Sequence, residues 1–387
     1  MKKLFFVFLV FACNVKEPVQ TNEILGYSTP EAEGVSSKAI LDFIEAAEKE
    51  QPDALHSLMV VRHGKIIAEG WWNPYNAESP HQLYSLSKSF ASTAIGLAVQ
   101  ENLLSIDDQV ISFFPDKTPE SPGKNLKSMR IRDLLTMNTG HEQNTSGRMQ
   151  EHEDGWVTGF LSLPVEFKPG TIFIYNSGAT YMLSAILQKV TGQTLVDFLQ
   201  PRLFDPLEIQ KPTWQSDPDG INIGGWGLSV TTKDIAKLGQ LYLQKGNWKG
   251  QQIISEAWVN VATSLQTSNG SNPESDWDQG YGYQFWRCRH NNFRGDGAFG
   301  QYCIVMPEQD AVVAITSGSS DMQGILNLVW DHLLPAIESE ALSPDDESFS
   351  ALKNKLESLA LAPVKGEASS SIESEISGKK YTIDTND

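Results

Sequence analysis

The segment Tyr84-Ser85-Leu86-Ser87-Lys88-Ser89-Phe90 holds two residues that could do covalent chemistry together. Ser85 and Lys88 are three positions apart, so at the start of a helix they share a face and hydroxyl can meet amine. Ser85 would then lie at the positive end of the helix, where developing negative charge is stabilised. The positions after Lys88 are apolar (Phe90, Ala91, Ala94, Ile95). Desolvation among them lowers an amine's pKa and leaves part of it as neutral base. A serine activated without histidine needs such a base. The tetrapeptide alone is common, and a capped helix with a solvated lysine gives the same spacing.

Two further segments supply context. Phe173-Ile174-Tyr175-Asn176-Ser177-Gly178 precedes a helical stretch, and a tyrosine there can share proton traffic if nearby cations depress its pKa. Gly295-Asp296-Gly297-Ala298-Phe299-Gly300-Gln301-Tyr302 opens an apolar strand, whose glycines let a substrate lie close to the backbone. No G-x-S-x-G elbow occurs, which argues against an α/β-hydrolase. His141 and His152 lie in a polar stretch with Glu142, Glu151, Glu153 and Asp154. Their spacing fits no standard metal site, and a solvated loop is the simpler expectation. Trp71, Trp72, Trp226 and Trp286 could line a cleft or pack in the interior.

The order of these segments resembles the serine β-lactamase and penicillin-binding-protein family. That family includes class C β-lactamases, low-molecular-weight penicillin-binding proteins, D-aminopeptidases and related esterases. The resemblance runs from about Leu25 to Leu334. It includes Ile131-Arg132-Asp133-Leu134-Leu135-Thr136-Met137 and Gly225-Trp226-Gly227-Leu228-Ser229-Val230-Thr231-Thr232-Lys233-Asp234. It implies Ser85 as acylated nucleophile, Lys88 and Tyr175 as its proton relay, and the backbone N–H groups of Ser85 and Gln301 as the oxyanion hole. Asn176, Ser177, Ala298, Phe299 and Gly300 become the substrate-binding positions. Two departures stand out. The family's second motif reads Tyr-x-Asn, whereas Ser177 holds the third slot here. Its third motif begins with Lys or His, whereas Ala298-Phe299-Gly300 fills it here. The cation that would meet a β-lactam or D-Ala-D-Ala carboxylate is missing, so the resemblance implies an esterase or amidase that needs no cofactor. A β-lactamase or D-Ala-D-Ala carboxypeptidase is the alternative. An acylating protein that does not turn over and a non-catalytic envelope scaffold are the other rivals.

Elements that would position these residues are legible in the hydrophobic spacing. Helices are expected at Ser36–Glu50, Ser85–Glu101, Ile131–Met137, Gly178–Thr191, Thr194–Leu203, Thr232–Gln244, Ser255–Ser264 and Asp321–Leu334. His56–Trp72 reads as a hairpin turning at His63-Gly64-Lys65. Tyr281–Cys288, Gln301–Met306 and Ala311–Thr316 read as strands, the last two joined by Pro307-Glu308-Gln309-Asp310. Strands early and late with helices between predict an α/β (α+β) architecture of the β-lactamase/transpeptidase-like type. An antiparallel sheet flanked by helices would carry an inserted helical lobe over roughly 91–270.

Bulk composition bounds the rest. The 387 residues carry 48 acidic against 30 basic side chains, a net charge of −18 that argues against a nucleic-acid partner. Residues 1–13 read as an export signal: Lys2 and Lys3, then an apolar run ending at Val10-Phe11-Ala12-Cys13, similar to a bacterial lipobox. Lipid on Cys13 would be the membrane attachment of an exported, periplasmic or membrane-anchored bacterial lipoprotein, and an ordinary signal with an incidental cysteine is the alternative. Residues 14–24 read as a tether, 25–338 as the catalytic domain, and 339–387 as a polar tail. In that tail, Gly378–Ile383 resembles the start of a strand. Cys288 and Cys303 could pair, though two buried free thiols fit better. The expected partner is a small-molecule or peptide-like ester or amide.

Overall fold

The computed structural model describes residues 25–363, 366 and 369–382. The expected signal, Cys13 and the tether lie outside those residues. Strands β1 (Gly26–Tyr27), β2 (Leu55–Arg62), β3 (Lys65–Trp71), β4 (Trp286–Arg287), β5 (Phe293–Gly297), β6 (Gln301–Met306) and β7 (Ala311–Ser317) form one sheet in the order β1-β3-β2-β7-β6-β5-β4. Every neighbouring pair is antiparallel except β1 with β3. An early and a late strand therefore meet in the sheet centre, where β2 pairs with β7.

Local chemistry explains these elements. The β2–β3 turn places His63 at φ 50° and Gly64 at φ 72°. Two left-handed residues in sequence match the twist of a two-residue hairpin. Along β7, Val312 and Ala314 enter one hydrophobic cluster while Ala311, Val313 and Ile315 enter the other. A strand buried on both faces needs such an unbroken apolar run. In α1 (Ser37–Glu50), Ile40, Phe43, Ile44 and Ala47 are buried at helical spacing, the large side chains contributing roughly 2 kcal/mol each. Helix α2 (Ser87–Gln100) is buried from Ser87 to Ala98. Such a helix must be covered all round. Helices α3 (Ser177–Thr191) and α4 (Thr232–Leu243) share its cluster. The opposite sheet face is covered by α1 with α5 (Met322–Leu328) and α6 (Asp346–Glu357).

Three expectations need correction. Tyr281–Cys288 is not one strand, because only Trp286–Arg287 pairs in the sheet. Gln284 takes φ 64°, and its amide leaves the pleat to donate to the carbonyls of Leu134 and Leu135, at 3.1 and 2.8 Å. The expected Thr194–Leu203 helix stops at Leu199 and continues as a wider turn over Gln200–Phe204, where Pro201 offers no N–H to the helical ladder. The polar tail is partly structured. Asp345 caps α6 by accepting from the Ser348 N–H at 3.0 Å, and Leu352 and Leu359 are buried. A stripe of Leu352, Leu356 and Leu359 docks over Gly70, where a Cβ would lie 2.7 Å from Leu359 Cδ1. Average composition hides a stripe that narrow. Gly378–Thr382 forms no strand.

Cys288 and Cys303 are free and buried in different clusters on opposite faces of the sheet. Among the described residues, no helix is long and apolar enough to cross a membrane.

Candidate active site

Ser85 sits on a short 3-10 turn, Tyr84–Leu86, that runs directly into α2. Tyr84 is held at φ 47°, in the left-handed region. Strain of this kind, on the order of 1 kcal/mol or more, survives only where the surroundings enforce it. The enforcing element is β5. A Cβ on Gly295 would lie 2.2 Å from Leu86 Cδ1, and one on Gly297 would lie 2.1 Å from the Leu83 carbonyl oxygen. Both glycines thus let the strand lie flat against the turn that presents Ser85. A Gly297→Ala variant must push that strand away from Leu83. We expect kcat/KM to fall about 100-fold, the usual effect of an ångström-scale misplacement. A protein with unchanged kinetics would show that this approach is unimportant.

Lys88 is 1% exposed. Its Nζ donates to Ser85 Oγ at 3.0 Å, to Ser177 Oγ at 3.0 Å and to the Gly225 carbonyl at 2.7 Å. Burial brings its pKa from 10.5 down to about 7, with the nearby Asp296 charge opposing the shift. A primary amine at this pKa is substantially neutral near pH 7, so the first requirement for activating Ser85 is met. Gly225 reaches Lys88 because it lacks a side chain: a Cβ there would lie 2.8 Å from the Ser177 carbonyl oxygen.

Tyr175 lies under Lys88, whose Nζ is 4.8 Å from the ring centroid. Trp286 packs against the same ring at 5.2 Å. A depressed pKa here would need nearby cations, and the reverse holds. Burial, then the charge of Asp296, pushes the phenol far above its ordinary 10, against smaller opposing contributions that include a hydrogen bond with Ser85. Tyr175 therefore stays protonated at any ordinary pH.

The second-motif residues divide. Ser177 faces Lys88, as described. Asn176 is fully buried, and its Oδ1 accepts from Thr145 N, Thr145 Oγ1 and Gly178 N at 3.0, 2.8 and 3.0 Å. It caps α3, which corrects the expectation that it contacts substrate. Asn144 sits beside Ser177 instead, accepting from the Ser177 N–H at 3.1 Å.

In the third motif, Gly297–Gln301 is a tight turn closed by Gly300 N–H to the Gly297 carbonyl at 3.1 Å. Phe299 and Gly300 take φ 66° and 84°. The Gln301 side chain holds the turn by donating to the carbonyls of Ala298 and Ser317, at 2.9 and 2.7 Å. Phe299 is 47% exposed and meets Tyr84 edge-on at 5.3 Å between ring centroids. Of the third-motif positions, Phe299 thus packs against Tyr84, the residue before Ser85.

Several neighbours were not legible as site residues. Arg294 is fully buried and pairs with Asp296, with Nε 2.9 Å and an outer nitrogen 2.8 Å from Oδ2. It also stacks over Trp277 at 4.6 Å. Glycines at 295 and 297 flanking an Asp were the one available signal. Among the tryptophans, Trp286 packs against Tyr175 and Trp226 meets Trp156, whereas Trp72 is buried beside Glu48, to which its indole donates at 3.1 Å. In the segment expected to be a solvated loop, Glu142, Glu151, Glu153 and Asp154 are exposed, and among its acidic and histidine residues only His141 departs from that expectation. His141 is fully buried against Phe160, with Nδ1 2.9 Å from Thr139 Oγ1, and burial lowers its pKa to about 4. No group of three or more His, Cys, Asp or Glu that could hold a metal occurs among the described residues.

Comparison with known proteins bears on family and fold. The Beta-lactamase family model matches residues 44–325. The 6-aminohexanoate-dimer hydrolase of Paenarthrobacter ureafaciens is 26% identical over 294 residues, 68% of this chain and 73% of that protein. Among solved structures, a family VIII carboxylesterase superposes with a TM-score of 0.60 at 15% identity, covering 80% of this chain and 99% of the other. An octameric penicillin-binding protein homologue from Pyrococcus abyssi does so with a TM-score of 0.59 at 20% identity, covering 79% and 78%. The chain is a serine hydrolase that belongs to the Beta-lactamase family.

Proposed function

We propose that the protein hydrolyses carboxylic esters or amides through an acyl-enzyme on Ser85. The observation that carries this is the buried Lys88 amine 3.0 Å from Ser85 Oγ. Ser85 Oγ bonds to the substrate carbonyl carbon while its proton passes to Lys88 Nζ. The N–H groups of Ser85 and Gln301 receive the oxyanion, and Tyr175, as a neutral phenol, donates toward the reacting oxygen. The leaving group departs with a proton, and water then cleaves the acyl-enzyme with Lys88 again as base.

Substrate class follows from the third motif. Without a cation at Ala298, a carboxylate there loses a charge-assisted contact of about 1.5–3 kcal/mol. Phe299 and Tyr84 offer aromatic surface beside Ser85 instead. An apolar acyl or alkyl ester, or an amide of similar shape, fits this lining better than a β-lactam. The similarity in fold to a carboxylesterase and in sequence to a 6-aminohexanoate-dimer hydrolase supports a hydrolase outside the β-lactam class.

A parallel assay of p-nitrophenyl acyl esters, a chromogenic β-lactam and a D-amino-acid amide tests the reading. Ester turnover should exceed β-lactam turnover by at least about 10-fold in kcat/KM, the equivalent of one lost ionic contact. Faster β-lactam turnover would sink the argument from Ala298.

A further inference from the structure

Lys88 holds two hydroxyls at equal distance. Ser85 Oγ and Ser177 Oγ each lie 3.0 Å from Nζ, and the remaining hydrogen bond goes to the Gly225 carbonyl at 2.7 Å. A carbonyl can only accept, so Gly225 always takes one N–H. A neutral amine has two N–H donors and one lone pair. With Gly225 served and the lone pair turned to the Ser85 hydroxyl, the other N–H points to Ser177. Once Lys88 has taken the Ser85 proton, it is an ammonium whose outlets are Ser85 Oγ, now bonded to the acyl carbon, and Ser177 Oγ.

Tyr175 serves the other oxygen. Lys88 Nζ lies 4.8 Å from its ring centroid, while its hydroxyl hydrogen-bonds with Ser85. Ser177 is also firmly set. Its N–H donates to Asn144 Oδ1 at 3.1 Å, it opens α3, and the residue is only partly buried. A hydroxyl can accept and donate at once, which the amide nitrogen of an asparagine cannot do.

We propose that Ser177 is a catalytic proton relay that carries the Lys88 proton to the leaving group. As the C–O or C–N bond of the tetrahedral intermediate breaks, the leaving atom takes the Ser177 hydroxyl proton. Ser177 Oγ takes a proton from the Lys88 ammonium in the same step. Lys88 returns to the neutral amine, Ser85 remains acylated, and no proton is gained or lost overall. This rests on the reading of Ser85 as nucleophile and Lys88 as base. It adds that the departure of the Asn from the second motif is functional: a relay stands where the family has an amide.

The test compares leaving groups. p-Nitrophenolate leaves without a proton, whereas an alkoxide or amine does not. In Ser177→Ala, kcat/KM for an alkyl ester should fall about 100-fold, the lower range for a lost general acid. The p-nitrophenyl ester of the same acid should fall at least 10-fold less. Ser177→Thr, which keeps a hydroxyl, should recover most of the alkyl-ester rate, and Ser177→Asn should not. Equal losses on both esters in Ser177→Ala, or full alkyl-ester activity in Ser177→Asn, would overturn the relay. Failure of the underlying reading looks different: a fluorophosphonate probe would then leave Ser85 unlabelled in wild-type protein.

Discussion

Replacing Ser85 with alanine is expected to lower turnover of p-nitrophenyl esters by about 10,000-fold or more, on the scale seen when a hydrolytic nucleophile is deleted. Covalent labelling by a fluorophosphonate should disappear with it, because the same oxygen reacts with probe and substrate. The fold should be little affected. Ser85 is partly exposed, and Lys88 keeps Ser177 and the Gly225 carbonyl as partners. Circular dichroism and a thermal midpoint near the wild-type value would separate lost chemistry from lost structure. Ester turnover that persists at the wild-type rate would sink Ser85 as the nucleophile, whatever the geometry around it.

Lys88→Met tests the base and carries a second, independent signature. Activity should fall about 1,000-fold, within the range for a lost general base. In the wild type, kcat/KM should rise with pH through about 7, where Lys88 loses its proton, and flatten above. The stability effect has the opposite sense to a surface lysine. The folded pKa, about 7, lies below the ordinary 10.5 of the unfolded chain. Between those values the unfolded state binds more protons, so Lys88 makes stability rise with pH across that window. Below about 7 the penalty is complete; above 10.5 it is gone. At about 1.4 kcal/mol per pKa unit it amounts to roughly 4–5 kcal/mol. The methionine side chain of the variant would not bear it, though an unpaired Gly225 carbonyl offsets about 1–3 kcal/mol. The stability of Lys88→Met relative to wild type should therefore decline by several kcal/mol from pH 7 to pH 10. A difference flat across that range would mean that Lys88 is not desolvated.

Much of the frame was readable without coordinates because it rests on local rules. The left-handed pair His63-Gly64 marks a hairpin by chemistry alone. The alternating burial of β7 and the stripe Ile40, Phe43, Ile44 of α1 are periodicities written along the chain. Where prediction failed, a non-local partner had overruled local pattern. Gln284 breaks an aromatic alternation because its amide is needed by Leu134 and Leu135 across the interior. Helix α6 hides in a polar tail because three leucines suffice once Gly70 leaves them room.

The site divides the same way. Residue type and order alone determine that a serine and a lysine share a helical face, that a Tyr-x-Ser segment and a glycine-flanked strand follow, and that no cation occupies the third motif. Those are statements about what each residue can do. Tertiary structure alone decides what each residue does do. It buries Lys88 until its pKa falls to about 7, and it drives the pKa of Tyr175 the other way. It turns Asn176 inward as a cap and Ser177 outward to Lys88, although they are neighbours in the chain. Burial and hydrogen-bond partners set these outcomes, and both come from segments as far away as Gly225, 137 residues beyond Lys88.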